Sequence, residues 1–311
     1  MRERPITLMI SGSGRSGTTI LSVLLSQGER VMNIGQLRDV WAGWSQDVPC
    51  TCGKNLTECA FWEAVREQAF PGQTAEQAVE MDKARETFME DAAQLRDWNN
   101  ADVLDEFAQS HRGFLNALDA VLLAALSVSG ARVLVDSSKS PEFALACHLA
   151  RSTDLRILNL ARDPRAVACS WAKRKSRGIN RRLYAWGQRQ RRLAGWKDAP
   201  GLQHRSLHYE DFVAVPQESL ARILNWVGED LPPALFENGP KANVSWARQH
   251  LFPPSNETVL AERRTEVEIH APSGWRAARH WPLHLNALIR SFPQGPAYVL
   301  GLGRAERRLE P

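Results

Sequence analysis

The strongest constraint on the fold of this chain is a three-step unit near its start. An apolar run over residues 6–11 leads into the turn Ser11-Gly12-Ser13-Gly14-Arg15-Ser16-Gly17-Thr18-Thr19. A helix follows over residues 17–26, with Ile20, Val23, Leu24 and Leu25 at helical spacing. The unit recurs. An apolar strand over residues 132–135 ends in Asp136-Ser137-Ser138-Lys139, and the next helix carries Pro141 in its first turn, where proline is tolerated. A third strand over residues 155–160 ends in Ala161-Arg162-Asp163-Pro164 and again enters a helix, and a fourth is expected at residues 203–208, before a helix over residues 217–227. Repeated strand, turn and helix units imply the α/β class: a P-loop-like parallel sheet with helices on both faces. The first two units are separated by about 100 residues, too many for a crossover loop, so that segment must carry structure of its own. Its later part, residues 74–127, reads as amphipathic helices. The expected organisation is one domain over residues 1–311 with an inserted helical cap at about 38–130, and ligands at the carboxyl ends of the strands.

The longest apolar run, residues 117–128, contains Asp119 and is too short to cross a bilayer, so no transmembrane segment is expected. The first residues go straight into a strand without a charged, apolar and small-residue leader, and the expected location is cytoplasmic. Net charge is only +4, yet arginines crowd residues 162–192, which points to an anionic ligand. Nucleic acid is not the expected partner, because no zinc-finger, helix-turn-helix or aromatic RNA-binding pattern accompanies the cluster. Within it Arg181, Arg182, Arg189, Arg191 and Arg192 read as a solvated helix face, the usual fate of a charge run. The five cysteines are expected to be reduced thiols.

Between an apolar strand and an amphipathic helix, the glycine-rich turn can cradle a phosphate with its backbone N–H groups and the helix N-terminus. Counted from Gly12 it keeps the two glycines of a nucleotide P-loop, but Thr18 stands where the phosphate-binding lysine belongs, and the cation has moved to Arg15. A kinase or ATPase needs that lysine and an acidic partner for magnesium. A kinase-like phosphoryl transferase is therefore the weaker alternative.

Gly14-Arg15-Ser16-Gly17-Thr18-Thr19 resembles the 5'-phosphosulfate loop of the sulfotransferase family, in the arginine-containing form of its tyrosylprotein, carbohydrate and many bacterial members. The resemblance implies 3'-phosphoadenosine-5'-phosphosulfate as donor, 3',5'-bisphosphoadenosine as product, no metal, and Arg15 as the cation that stabilises the transferring sulfuryl group. The segment from Leu160 through Arg162 to Ser170 and Trp171 is similar to the family's 3'-phosphate motif, with an arginine at the strand end and a serine eight residues on. Arg174, one helical turn past the serine, can join Arg162 and Ser170 there. Asp136-Ser137-Ser138-Lys139 is similar to the D-S-S-K turn of bacterial sulfotransferases, which implies that Lys139 assists the sulfuryl group. His208-Tyr209-Glu210-Asp211-Phe212 resembles the Y-E-D-L segment whose tyrosine reaches the nucleotide, with simple packing the competing role for Tyr209.

The resemblance covers about residues 5–65 and 130–228. Relatives often carry Gly-Glu-Leu after the first helix, the glutamate removing the acceptor proton; here the residues are Gly35-Gln36-Leu37, and glutamine cannot serve. Asp39, one helical turn on, is the replacement expected, with His111 and His148 as others, unless the acceptor needs little help or the protein binds the donor without turnover. Cys50-x-Cys52-Gly53 and Cys59-x-Phe61-Trp62 also resemble a bacterial stretch; three thiols without an apparent fourth ligand imply a structural cysteine cluster and no metal site. Past residue 230 the family's usual ending is missing. Trp246, Trp275 and Trp281 with His250, His270 and His280 could line an acceptor pocket, although core packing is the commoner use of tryptophan. The function implied is sulfuryl transfer to a hydroxyl or amine of a carbohydrate, lipid or small natural product.

Overall fold

A computed structural model of the chain describes residues 4–173, 177–196, 199, 201–237, 241–253, 263–269 and 273–301. Five strands form its central sheet: β1 (Ile6–Gly12), β2 (Val31–Asn33), β3 (Val133–Lys139), β4 (Asp154–Ala161) and β5 (Gln203–His208). Their order is β2-β3-β1-β4-β5, parallel at every pairing. The four strands read from the sequence are all present, and the sheet is of the expected class. β2 is an addition, only three residues long, too short to show the period-two pattern that marks a strand.

Alternation along the strands assigns side chains to two covered faces. Ile6, Leu8 and Ile10 of β1, Val133 and Val135 of β3, and Leu158 and Leu160 of β4 share one core with Leu21, Leu24 and Leu25 of α1 (Thr18–Leu25). On the opposite face Met9, Leu134 and Ile157 join a second core with the helices of the long insertion. These are α2 (Val40–Gln46), α3 (Ala60–Ala69), α4 (Ala75–Gln94), α5 (Ala101–Ser110) and α6 (Arg112–Ser129). They are followed by α7 (Pro141–Ala150), whose Ser140 cap and Pro141 start it where the sequence indicated. Thr74 and Gln77 close a capping box at the start of α4, and α6 stops at Gly130 in the left-handed conformation. By length and composition α6 could cross a bilayer, but Leu118, Val121, Leu122 and Ala125 are buried where it packs on α3 and α7.

Beyond β4 lie α8 (Pro164–Lys173) and α9 (Ile179–Trp196), and beyond β5 lie α10 (Tyr209–Ala214) and α11 (Pro216–Trp226). A small antiparallel pair, β6 (Lys241–Asn243) with β7 (Glu266–Glu268), precedes α12 (Trp281–Arg290) and α13 (Gln294–Val299), which pack back on α8 and α9.

One buried carboxylate ties the turn after β2 to the end of β3. Asp136 is fully buried and accepts hydrogen bonds from Ser138 N at 2.6 Å, Ser138 Oγ at 2.9 Å and Leu37 N at 3.1 Å. Burial pushes its carboxyl up to about 6, with those donors and Arg38 pulling the other way. Ser137 adds a bond from its N–H to Gly35 O at 2.6 Å. Asp136→Ala strands two buried amides, and the loss of hydrogen bonds to a charged acceptor should cost about 3 kcal/mol. Urea denaturation checks this: the midpoint should fall with an unchanged slope, whereas a midpoint equal to that of the wild type would mean that the turn is held by other contacts.

Candidate active site

Because the strands are parallel and in register, their carboxyl ends meet on one edge. Ser11 pairs with Lys139, Gly12 with Leu160, and Ala161 with His208. Across the sheet, Lys139, the turn after β1, Arg162 and Tyr209 therefore stand in a row. Such an edge is where open parallel sheets bind ligands.

The turn after β1 is shaped by close contacts that exclude side chains. A Cβ on Gly12 would lie 2.6 Å from Leu160 O, and one on Gly14 would lie 2.8 Å from the Trp171 ring. Gly17 has φ of 85°, and a Cβ there would come within 2.6 Å of the Tyr209 ring. Ser16 is buried, its Oγ 2.8 Å from that of Ser13. Gly17 caps α1 without a side-chain acceptor, and no acidic residue lies in the first turn, so the amides and positive dipole end at Thr18 and Thr19 meet no carboxylate of the helix itself. A helix N-terminus left open in this way can accept an anion.

Arg162 lies beside it. It is 9% exposed, donates from Nη1 to Arg15 O at 2.7 Å, and lays its guanidinium over the Tyr209 ring, 4.4 Å from the centroid. Its Nε is buried with no hydrogen-bond partner among the described residues, and none of their carboxylates pairs with it. The nearby acids are engaged elsewhere: Asp163 holds Arg165 at 2.7 Å, and Glu210 accepts from Asp163 N at 3.2 Å and from the Tyr298 hydroxyl. Arg15 reaches across to α8, with Nε 3.1 Å from Ser170 Oγ. The structure thus brings Arg15, Arg162, Ser170 and Tyr209 together around the loop. Arg174 lies outside the described residues.

Lys139 stands at the other end of the row. β3 fits one extra residue between Asp136 and Lys139 relative to Met9 and Ser11, a bulge that re-aims the chain end, and Lys139 adopts φ of 67°. Burial, with the like charges of Arg38 and Arg189, lowers its ammonium to about 8. Arg189 corrects the sequence reading of a solvated face. It donates from Nη1 to Gly12 O at 2.8 Å, behind the turn after β1, and its Nε is shut off from solvent. Arg192 is likewise engaged, with Glu142 at 2.8 Å, whereas Arg182 stays exposed while stacking over Trp171 at 3.9 Å. Nothing in a helical charge run distinguishes Arg189 and Arg192 from exposed neighbours such as Arg181 and Arg191.

Of the three candidate bases only Asp39 is near. Both its oxygens are taken by Arg38, from Nε at 3.1 Å and Nη2 at 3.2 Å, and its charge reaches Lys139. Gln36 is buried in the same turn, 4% exposed. His111 sits in the helical insertion, 3.3 Å from Asp91 and against Phe88 and Phe107. His148 is near the far end of α7, where it meets the Trp196 edge. The C-terminal aromatic residues do not converge on a pocket. Trp246 donates to Arg264 O, Trp275 packs on α8, Trp281 is exposed, and His250 lies among cysteines; His270 is outside the described residues. Tyr298 is the C-terminal residue that supports the row, stacked 4.2 Å from His208 and bonded to Ala161 O at 3.3 Å.

No protein of curated function matches the sequence. Among solved structures that resemble it are two sulfotransferase domains. One is the sulfotransferase domain from the curacin biosynthetic pathway, 14% identical with a TM-score of 0.45 over 90% of this chain and 96% of that one. The other is the sulfotransferase domain from the Synechococcus PCC 7002 olefin synthase, 18% identical with a TM-score of 0.48 over 93% of this chain and 94% of that one. The sequence model of the family described as Sulfotransferase family matches residues 5–233. That span holds the loop, Lys139, Arg162, Ser170 and Tyr209, and the chain belongs to the sulfotransferase family.

Proposed function

We propose that the chain transfers a sulfuryl group from 3'-phosphoadenosine-5'-phosphosulfate to a hydroxyl or amine of a carbohydrate, lipid or small natural product. The observation that carries this reading is the buried Arg162 guanidinium, which has no carboxylate partner among the described residues and lies one strand away from an anion-cradling loop. A buried charge calls for a counter-charge. Two adjacent anion sites suit a nucleotide phosphorylated at both 3' and 5' positions. In this reading residues 14–19 hold the 5'-phosphosulfate, and Arg162 and Ser170, with Arg174, hold the 3'-phosphate. Tyr209 covers both sites, because its ring touches Gly17 and Arg162 alike.

The acceptor attacks sulfur in line as the bond from sulfur to the 5'-phosphate oxygen breaks and the bisphosphate leaves. Arg15 and Lys139 stabilise the oxygens where charge grows, and fixed donors in a site poor in water make such stabilisation large. Arg15 also reaches the 3' site through Ser170, which couples the two ends of the donor. The acceptor proton passes to Asp39 or to solvent.

Calorimetric titration with 3',5'-bisphosphoadenosine should show tight binding. Arg162→Ala removes two charge-assisted bonds of about 1.5 kcal/mol each and weakens that binding by about 100-fold. A preference for Mg-ATP would overturn the donor assignment. Tight bisphosphate binding without turnover on any acceptor would favour a donor-binding protein, a reading to which the buried Gln36 lends weight.

Lys139 gives the second test. In the free protein it titrates near 8, and a bound anion favours its charged form, so donor affinity should fall as pH rises above that value. The slope should reach at most about tenfold per pH unit. In Lys139→Met the slope should vanish and kcat drop by about 10²-fold or more. An unchanged pH profile in the variant would remove Lys139 from the donor site.

A further inference from the structure

Cys50, Cys52 and Cys59 are joined in the structure by the ligand the sequence did not reveal, His250. The four candidate ligand atoms all lie within 4.8 Å of one another. Cys59 Sγ is 3.6 Å from Cys50 Sγ and 3.2 Å from His250 Nδ1, and Cys50 Sγ is 4.0 Å from the same nitrogen. Each ligand is held by its backbone. Cys50 and Cys52 occupy a tight turn closed by Cys50 N to Lys54 O at 2.8 Å and Gly53 N to Cys50 O at 3.0 Å, with Gly53 at φ of 94°. Cys59 caps the start of α3. His250 is fixed by Trp62 Nε1, which donates to its carbonyl at 2.6 Å, and by stacking on Phe61 at 5.2 Å. Thr51 clamps the segment on either side of it, donating from Oγ1 to Gln249 O at 2.6 Å and accepting from Leu251 N at 2.8 Å.

We propose that Cys50, Cys52, Cys59 and His250 form a tetrahedral site for one structural zinc ion. Three thiolates and an imidazole are a closed zinc set, and ligands about 2.3 Å from the metal lie about 3.8 Å apart on the edges of a tetrahedron, close to the separations found here. A Cys50–Cys59 disulfide is the competing chemistry. It would require the sulfurs to close to about 2.05 Å and would leave Cys52 and His250 without a role. With four ligands from closed backbone turns there is no open position for a reacting water, so the ion is structural. It staples residues 249–252 to α3 and its preceding turn. The staple bears on the candidate active site, because Leu251 packs on Gly35, where a Cβ would come within 3.3 Å of its Cδ2, immediately before Gln36. The zinc assignment does not rest on the donor chemistry.

Elemental analysis of the purified chain, expressed with zinc available, should find one zinc per chain. After chelation under reducing conditions, titration with Co²⁺ should produce the thiolate charge-transfer and ligand-field absorption of a tetrahedral site, saturating at one equivalent. Because Cys52 is exposed, Cys52→Ser should fold and bind zinc at least about tenfold more weakly. His250→Ala should weaken Co²⁺ binding and change its ligand-field bands. Wild-type protein without stoichiometric zinc and without the Co²⁺ bands would overturn the proposal. The Co²⁺ titration uses the unaltered protein, so its outcome does not depend on whether a variant folds.

Discussion

The parallel pairing of β1 with a strand on each side is the constraint from which the rest of the structure follows. β1 is hydrogen-bonded to β3 along one edge and to β4 along the other, and all seven of its residues are buried. It can neither slip nor tilt without turning apolar side chains out of two cores at once. The turn after it, the end of β3 and the end of β4 are consequently fixed on one edge. Three segments far apart in sequence thereby deliver Arg15, Lys139 and Arg162 to one place.

Assembling those cations has an energetic cost that the fold carries before any ligand arrives. Arg15 and Lys139 both adopt left-handed backbone, at φ of 73° and 67°, which costs about 1–3 kcal/mol each for residues with a side chain. Lys139, Arg38 and Arg189 repel one another, and Arg162 has its Nε buried without a partner among the described residues. The apolar cores on both faces offset this, and the repulsion is localised where an anionic ligand would relieve it. Stability and function pull in opposite directions at this edge, the usual condition of a preorganised electrostatic site.

What could be read from the sequence was whatever rests on neighbours in the chain. The strand, loop and helix of residues 6–25 declare themselves by local pattern, as do the ends of β3 and β4, and those units place Arg15, Lys139, Arg162 and Ser170 together on one edge. Residues whose role comes from distant contacts were not legible. Arg189 looks like any cation on a basic helix until α9 is laid against Gly12 O. His250 completes a set of thiols 191 residues away from Cys59, and Tyr298 stacks on His208 from the far end of the chain. The same limit explains β2: its three residues become a strand only because β3 lies alongside to pair with them.

The turn of residues 35–39 is held from three directions, and this bears on the acceptor. Asp136 grips it from below through Leu37 N, Leu251 presses on Gly35, and Arg38 is tied to Ser138 through its own N–H at 3.1 Å. Arg38 in turn occupies both oxygens of Asp39. Each Asp39 oxygen keeps a second lone-pair site, so the carboxylate can meet an acceptor proton while still paired with Arg38. Gln36, fixed in the same turn, can orient an acceptor by hydrogen bonding but cannot take its proton. In the proposed reaction, therefore, the acceptor proton passes to Asp39 or to solvent and not to Gln36.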